Sequence, residues 1–135
     1  MLDQLVGLEP DQAATSRVNP QELKQVLLNL VVNGLESVDE GGTVTIDVRD
    51  DIEEVIIEVR DNGCGMTKET LENLFEPFFT RSRTGRGTGL GLSISHLIID
   101  QHGGTLDAES AGPGRGSRFT VRLPAQVEAA QPVAA

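Results

Sequence analysis

The sequence predicts a single α+β domain of about five strands and about three helices. Three observations carry that expectation. Short runs with apolar residues at every second position occur in pairs, one pair early and one late in the chain. Two longer segments place apolar residues at helical spacing, and paired glycines separate one pattern from the other. A length of 135 residues suits one domain able to bury a core of its own, and 38% hydrophobic with 24% charged residues is an ordinary globular composition.

Taken in order, residues 1–18 carry scattered apolar side chains with room for one short edge strand, and they read as a remnant of a preceding segment. At Asn19-Pro20-Gln21-Glu22 a helix begins: Asn19 suits a cap, Pro20 the first helical position and Glu22 a capping-box carboxylate. It should run to about residue 38 and stop at Asp39-Glu40-Gly41-Gly42. Residues 43–49 alternate through Val44, Ile46 and Val48, and residues 55–61 through Val55, Ile57 and Val59, which predicts an antiparallel hairpin closed by residues 50–54.

A short helix is expected over residues 67–74, then a loop rich in Gly, Arg, Ser and Thr up to Gly87. Leu90, Ile94, Leu97 and Ile98 recur at helical spacing before the stop at Gly103-Gly104. Residues 105–109 and 117–123 form two more strands around Gly112-Pro113-Gly114. The domain is expected to occupy residues 1–124, and residues 125–135, without periodicity, a disordered tail.

Charge and cysteine content narrow the function. Eleven Lys and Arg against 21 Asp and Glu leave a net charge of -10, which argues against binding nucleic acid through its phosphates. An anion would have to be met by local groups such as backbone amides, a metal ion or clustered arginines. No apolar run reaches the ~20 residues of a membrane span and no leader opens the chain, so no direct membrane contact is expected and the cytoplasm is the default compartment. The single cysteine, Cys64, excludes an internal disulfide and reads as a small residue of its turn.

Four constellations bear on chemistry. The first helix is apolar on nearly every side, through Leu23, Val26, Leu27, Leu28, Leu30, Val31, Val32 and Leu35, so it is expected to be buried. Within it Asn29 and Asn33, four residues apart, share a face that Glu36 extends. Buried amides need partners: either they bond neighbouring backbone, or an amide oxygen holds a hydrated magnesium beside phosphates. Asp61 is in phase with Val55, Ile57 and Val59, so its carboxylate faces the core side. Gly63 and Gly65 follow, and they serve either a close approach to a flat ligand or a tight strand-to-helix turn in which Asp61 bonds its own loop amides.

The run Gly85-Arg86-Gly87-Thr88-Gly89-Leu90-Gly91-Leu92 opens a helix, where amides bind phosphate and glycines remove obstruction; a flexible linker is the alternative. Walker spacing is absent. Arg81, Arg83 and Arg86 reverse the local sign of charge in a way that suits a polyphosphate. Phe75, Phe78 and Phe79 are expected to be core rings at the base of a lid. His96 and His102, with no acid arranged to orient them, are read as structural.

In this order the pieces resemble the ATP-binding domain of sensor histidine kinases, in the superfamily shared with gyrase, a heat-shock chaperone and mismatch-repair ATPases. Gln25-Val26-Leu27-Leu28-Asn29-Leu30-Val31-Val32-Asn33-Gly34 looks like the N box and Asp61-Asn62-Gly63-Cys64-Gly65-Met66 like the first glycine box. Phe75-Glu76-Pro77-Phe78-Phe79-Thr80 looks like the F box, Gly87-Thr88-Gly89-Leu90-Gly91-Leu92 like the second glycine box and Gly116-Ser117-Arg118-Phe119 like the last. The likeness implies a Bergerat-type two-layer α/β sandwich, a mixed and mainly antiparallel sheet covered on one face by helices. By the same likeness Asp61 accepts a hydrogen bond from the adenine amino group and Ser117 helps through a water. Asn33 holds magnesium, with Asn29 beside it.

Gly63, Gly65, Met66 and Phe79 would line the nucleotide, and the amides of Gly87, Thr88, Gly89, Leu90 and Gly91, with Arg86 or else Arg81 or Arg83, would meet the phosphates. The chain departs from the pattern at Ser82, where a lysine is frequent, at Asn19, commonly an acid, and at Gly34, usually alanine.

Hydrolysing relatives carry a glutamate as general base four residues before the magnesium asparagine. Asn29 stands there, and an amide cannot take that proton. The resemblance therefore implies phosphoryl transfer from Mg-ATP to a histidine on a separate dimerisation domain of the same kinase, with a response regulator downstream. Any membrane anchor would belong to a longer parent. Residues 1–18 hold no histidine, so the chain is not expected to phosphorylate itself. An anti-sigma-type serine kinase and a nucleotide-binding interaction module of the same fold are the alternatives.

Overall fold

A computed structural model describes residues 19–50, 52–79 and 91–125. The expected edge strand before Asn19, the arginine-bearing loop of residues 80–90 and the tail lie outside them. The described elements are α1 (Pro20–Ser37), β1 (Val44–Asp50), β2 (Glu54–Asp61), α2 (Lys68–Asn73), α3 (Gly91–Gln101), β3 (Thr105–Glu109) and β4 (Ser117–Pro124).

The starts of the helices follow from their caps. Asn19 Oδ1 accepts the amides of Gln21 and Glu22 at 3.0 and 3.2 Å, with Pro20 in the first turn. The reciprocal half of the expected capping box is made differently. The Asn19 N–H donates to Nε2 of His102 at 3.1 Å rather than to the Glu22 carboxylate, because the end of α3 delivers an imidazole to that point. Thr67 caps α2 by accepting the Thr70 amide at 3.0 Å.

Among the described residues the sheet has four strands in the order β1-β2-β4-β3, every neighbouring pair antiparallel. Period-two alternation sorts its two faces. Ile57 and Val59 of β2, Leu106 of β3 and Phe119, Val121 and Leu123 of β4 face inward. There they meet Leu23, Val26, Leu27 and Leu30 of α1 with Ile98 and Ile99 of α3. Each such side chain contributes roughly 1.5–3 kcal/mol when fully buried.

The opposite face carries no described helix. Thr45, Arg60, Arg118 and Glu109 form one row across all four strands, with Asp47, Glu58, Thr120 and Asp107 in the next. Arg60 pairs with Glu58 at 3.0 Å and Arg118 with Glu109 and Glu58. The bond to Glu109 raises the Arg118 pKa above the ordinary guanidinium value. Exposed pairs of this kind add little to stability.

Contrary to expectation, α1 is not buried all round. Leu28, Val32 and Leu35 are 59%, 42% and 57% exposed. One side of α1 meets the sheet and another meets α3, which leaves this third stripe without a described neighbour.

Candidate nucleotide site

The register sets Val44, Asp61 and Ser117 side by side at one end of the sheet, on the face that α1 covers. Gly34 brings α1 onto that row. A Cβ there would lie 3.2 and 3.3 Å from the Val44 methyls and 3.8 Å from Cβ of Asp61, so the missing side chain permits the approach.

Asp61 is half-buried and its Oδ1 accepts the Gly63 amide at 2.9 Å. That bond holds the carboxylate and uses one of its oxygens. Ser117, 5% exposed, stands opposite Asp61, and its Oγ has no partner among the described residues. The same is true of Asn33 Nδ2 on α1. A buried polar atom left unpaired costs about 1–3 kcal/mol, and such atoms mark places where a ligand or water supplies the missing partner. Both belong to residues singled out from the sequence.

Two turns lock together beside this row. The Cys64 amide donates to the Ser37 carbonyl at 2.9 Å, the Gly114 amide to the Cys64 carbonyl at 2.7 Å and the Gly116 amide to the Gly63 carbonyl at 3.2 Å. Gly65 has φ +68° and Gly116 φ +73°, and a Cβ on either would collide with backbone, the Gly112 carbonyl for Gly65 and the Asp61 carbonyl for Gly116. The space these glycines leave is taken by the protein's own chain. The reading in which Asp61 bonds its own loop amide therefore holds geometrically, with the rest of the carboxylate still to be accounted for.

Asn29 Nδ2 donates to Ser95 Oγ at 3.2 Å and to the Gly91 carbonyl at 3.4 Å, so its nitrogen ties α1 to the start of α3. Asn33 lies one turn further along and Glu36, on the same side, is exposed. The Met66 side chain belongs to the core, at 2% exposure, and only its backbone borders the turn. Phe75 and Phe79 pack against the core, but Phe78, expected with them, is 73% exposed with a positive φ of 69°. A left-handed aromatic residue at the edge of the described chain turns its ring away from the core.

Gly91 opens α3, while Arg86, Gly87, Thr88, Gly89 and Leu90, like Arg81 and Arg83, lie outside the described residues. His96 stacks on Phe75 with ring centroids 4.8 Å apart. His102 faces the Ile98 carbonyl with Nδ1 at 2.8 Å and accepts from Asn19 with Nε2. A carboxylate does approach it, Glu22 Oε1 at 3.9 Å, but both ring nitrogens are already engaged in joining helix ends.

Two residues were missed from sequence. Asn62 Oδ1 accepts the Thr43 amide at 2.8 Å and so extends the β1–β2 ladder to the turn. Ser110 joins the two glycine turns; its only local cue is its place just before Gly112-Pro113-Gly114, where serines commonly bond nearby backbone.

An open cleft of about 620 Å³ lies at the same sheet end, lined by Thr45, Arg60, Glu109 and Arg118 of the outer face and bordered by Asp61 and Ser117 as well. Arg60 and Arg118 there are already matched by carboxylates, which makes it a poor receiver for a phosphate chain. The unpaired atoms of Asn33 and Ser117 indicate the α1 side instead.

Comparison with known proteins places most of the chain in one family. The family described as histidine kinase-, DNA gyrase B-, and HSP90-like ATPase matches residues 18–127. The sensor histidine kinase ZraS of Klebsiella oxytoca is 47% identical over 116 residues, covering 84% of this chain and 24% of that protein. Sporulation kinase E of Bacillus subtilis (strain 168) is 40% identical over 111 residues, covering 82% of this chain and 15% of its own length. The chain thus spans a quarter or less of these relatives. Among solved structures, the mycobacterial sensor histidine kinase MprB superposes with a TM-score of 0.72 at 28% identity, covering 78% of this chain and 74% of that one. The catalytic domain of histidine kinase ThkA gives 0.69 at 38% identity, covering 78% and 69%. The chain belongs to the histidine kinase-, DNA gyrase B- and HSP90-like ATPase family, as an ATP-binding catalytic domain of the sensor-histidine-kinase type.

Proposed function

We propose that this domain binds Mg-ATP between α1, the turn after Asp61 and the start of α3. From there it donates the γ-phosphoryl group to a histidine on a separate dimerisation domain of its parent kinase, in the cytoplasm, with a response regulator as the next acceptor. The observation that supports this most is the pair of buried, unpartnered polar atoms, one on Ser117 opposite Asp61 and one on Asn33, next to the Gly34 that packs on the same row.

In this reading Asp61, with one oxygen held by the Gly63 amide, offers the other to the adenine amino group. Ser117 acts beside it through a water. The backbone at Gly63, Gly65 and Met66, with Phe79, borders the base and sugar. Asn33 would hold a magnesium ion through its carboxamide oxygen, leaving its unpaired Nδ2 to donate to a phosphate oxygen or a water, and Asn29, whose two hydrogen bonds both use nitrogen, would lie beside it. Magnesium, when bound, neutralises charge on the β- and γ-phosphates. Arg86 and the amides of Gly87, Thr88, Gly89, Leu90 and Gly91 take the rest of the phosphate chain.

Transfer is a displacement at phosphorus. A neutral imidazole nitrogen of the acceptor forms the new N–P bond with its lone pair, the bond from Pγ to the bridging oxygen breaks, and ADP leaves with that electron pair. No base on this chain is required, and Asn29 supplies none that would activate water instead. Leu28, Val32 and Leu35 on α1 and Leu97 on α3, 53% exposed, give the helical layer an apolar outer surface that suits a helical partner domain.

Incubating the purified chain with γ-labelled ATP tests the assignment. The chain is expected to stay unlabelled alone and to label a histidine-bearing helical domain of its parent when that is added. Stable label on His96 or His102 would overturn it.

A further inference from the structure

We infer that Ser110 is a positioning residue for the nucleotide, because its single hydroxyl clamps the turn after Asp61 to the turn before Ser117. The inference rests on the nucleotide-site reading above. Ser110 Oγ accepts the Met66 amide at 2.9 Å and the Gly112 amide at 3.2 Å, and it donates to the Gly116 carbonyl at 2.7 Å, with the Gly112 carbonyl further off at 3.3 Å. A serine hydroxyl has one proton and two lone pairs, so every bonding position it owns is in use.

The three groups it holds come from both sides of the site. Met66 ends the Asp61-Asn62-Gly63-Cys64-Gly65-Met66 turn, whose Gly63 amide holds the Asp61 carboxylate. Gly116 immediately precedes Ser117, the residue paired with Asp61 in the sheet. Two backbone bonds already join these turns, Gly114 to Cys64 and Gly116 to Gly63. Neither of them reaches Met66. Ser110 links that end of the first turn to the second, and without it the Met66 amide loses this acceptor while the Gly116 carbonyl loses its short donor. The spacing between Asp61 and Ser117 would survive through the sheet, but the backbone bordering the base would be free to shift.

Calorimetric titration of the whole chain with Mg-ATP separates positioning from mere stability. Ser110→Ala is expected to weaken the Kd by about tenfold, the equivalent of one lost hydrogen bond, with binding stoichiometry unchanged. Ser110→Thr, which keeps the hydroxyl, is expected to bind within about threefold of the original chain. A Ser110→Ala chain with an unaltered Kd, or with fewer sites of unaltered affinity, would overturn the inference, as would a folded Ser110→Thr chain as weak as Ser110→Ala. On the unmodified chain, amide exchange at Met66, Gly112 and Gly116 is expected to slow when Mg-ATP is added, and unchanged exchange at all three with ATP bound would overturn it whatever the variants do. Absence of binding by the unmodified chain would instead sink the nucleotide-site reading itself, and the role of Ser110 with it.

Discussion

Asn29 on α1 donates its side-chain amide to the hydroxyl of Ser95 on α3 at 3.2 Å, and Ser95 is fully buried. This bond crosses the helical layer near the start of α3 and ties its first turns to α1. Ser95→Ala and Asn29→Ala are each expected to lower unfolding free energy by roughly 1–2 kcal/mol, since each leaves a polar partner unpaired. A double-mutant cycle in urea should return a coupling of about 0.5–1.5 kcal/mol. Strict additivity would mean that the bond contributes nothing.

Asp61 has divided duties, and Asp61→Asn separates them. An asparagine keeps an oxygen for the Gly63 amide, so the turn and the melting temperature should change little. Its other atom becomes an NH2 donor facing an adenine amino donor, and ATP affinity should fall by about 30-fold or more. Isothermal titration beside a thermal melt checks both halves. Undiminished ATP binding would remove Asp61 from the site.

Gly116 and Gly114 have nearly the same backbone torsion, φ +73° and +77°, but different surroundings. A Cβ on Gly116 meets the Asp61 carbonyl, whereas one on Gly114 has nothing within 4 Å. Gly114→Ala should therefore cost about 1 kcal/mol from torsional strain alone, and Gly116→Ala at least ~2–3 kcal/mol. Denaturant unfolding of the two variants compares them directly. Equal losses would show that the close approach of the two turns is relaxed easily.

His102 joins the end of α3 to the start of α1 through the Asn19 amide and stands against the Ile98 carbonyl. Replacement by leucine fills similar space but leaves that amide without an acceptor, for an expected loss of ~1–2 kcal/mol. Asn19→Ala removes the cap and should cost ~1 kcal/mol by a separate route. Thermal or urea unfolding measures both, and a stabilised His102→Leu chain would show that the amide is equally well served by water.

Element order and strand phase were legible because they are properties of short windows. Alternation in 55–61 and 117–123 already turned Asp61 and Ser117 toward the core, and the strand boundaries, both ends of α1 and α2 and the end of α3 fell within a residue or two of their expected places. The partner of the Asn19 amide was not legible, since His102 is 83 residues away and nothing near either residue signals the other. Ser110 was missed for the same reason. Its partners lie 44 residues upstream and six downstream, and a serine before a turn has no periodicity to betray it.

The apolar content of α1 misled in an instructive way. Its composition promised burial on all sides, but burial depends on how many neighbours a helix has, and the described fold supplies two, the sheet and α3. Local patterning thus settled which segments are helix or strand and which strand side chains point inward, because torsional preference and hydrophobic period act within a few residues. Packing alone decided that β4 inserts between β2 and β3, that Gly34 admits α1 to the Val44, Asp61 and Ser117 row, and that Leu28, Val32 and Leu35 stay outside. Those outcomes are set by contacts between segments distant in the chain, where the free energy comes from what each surface finds opposite it.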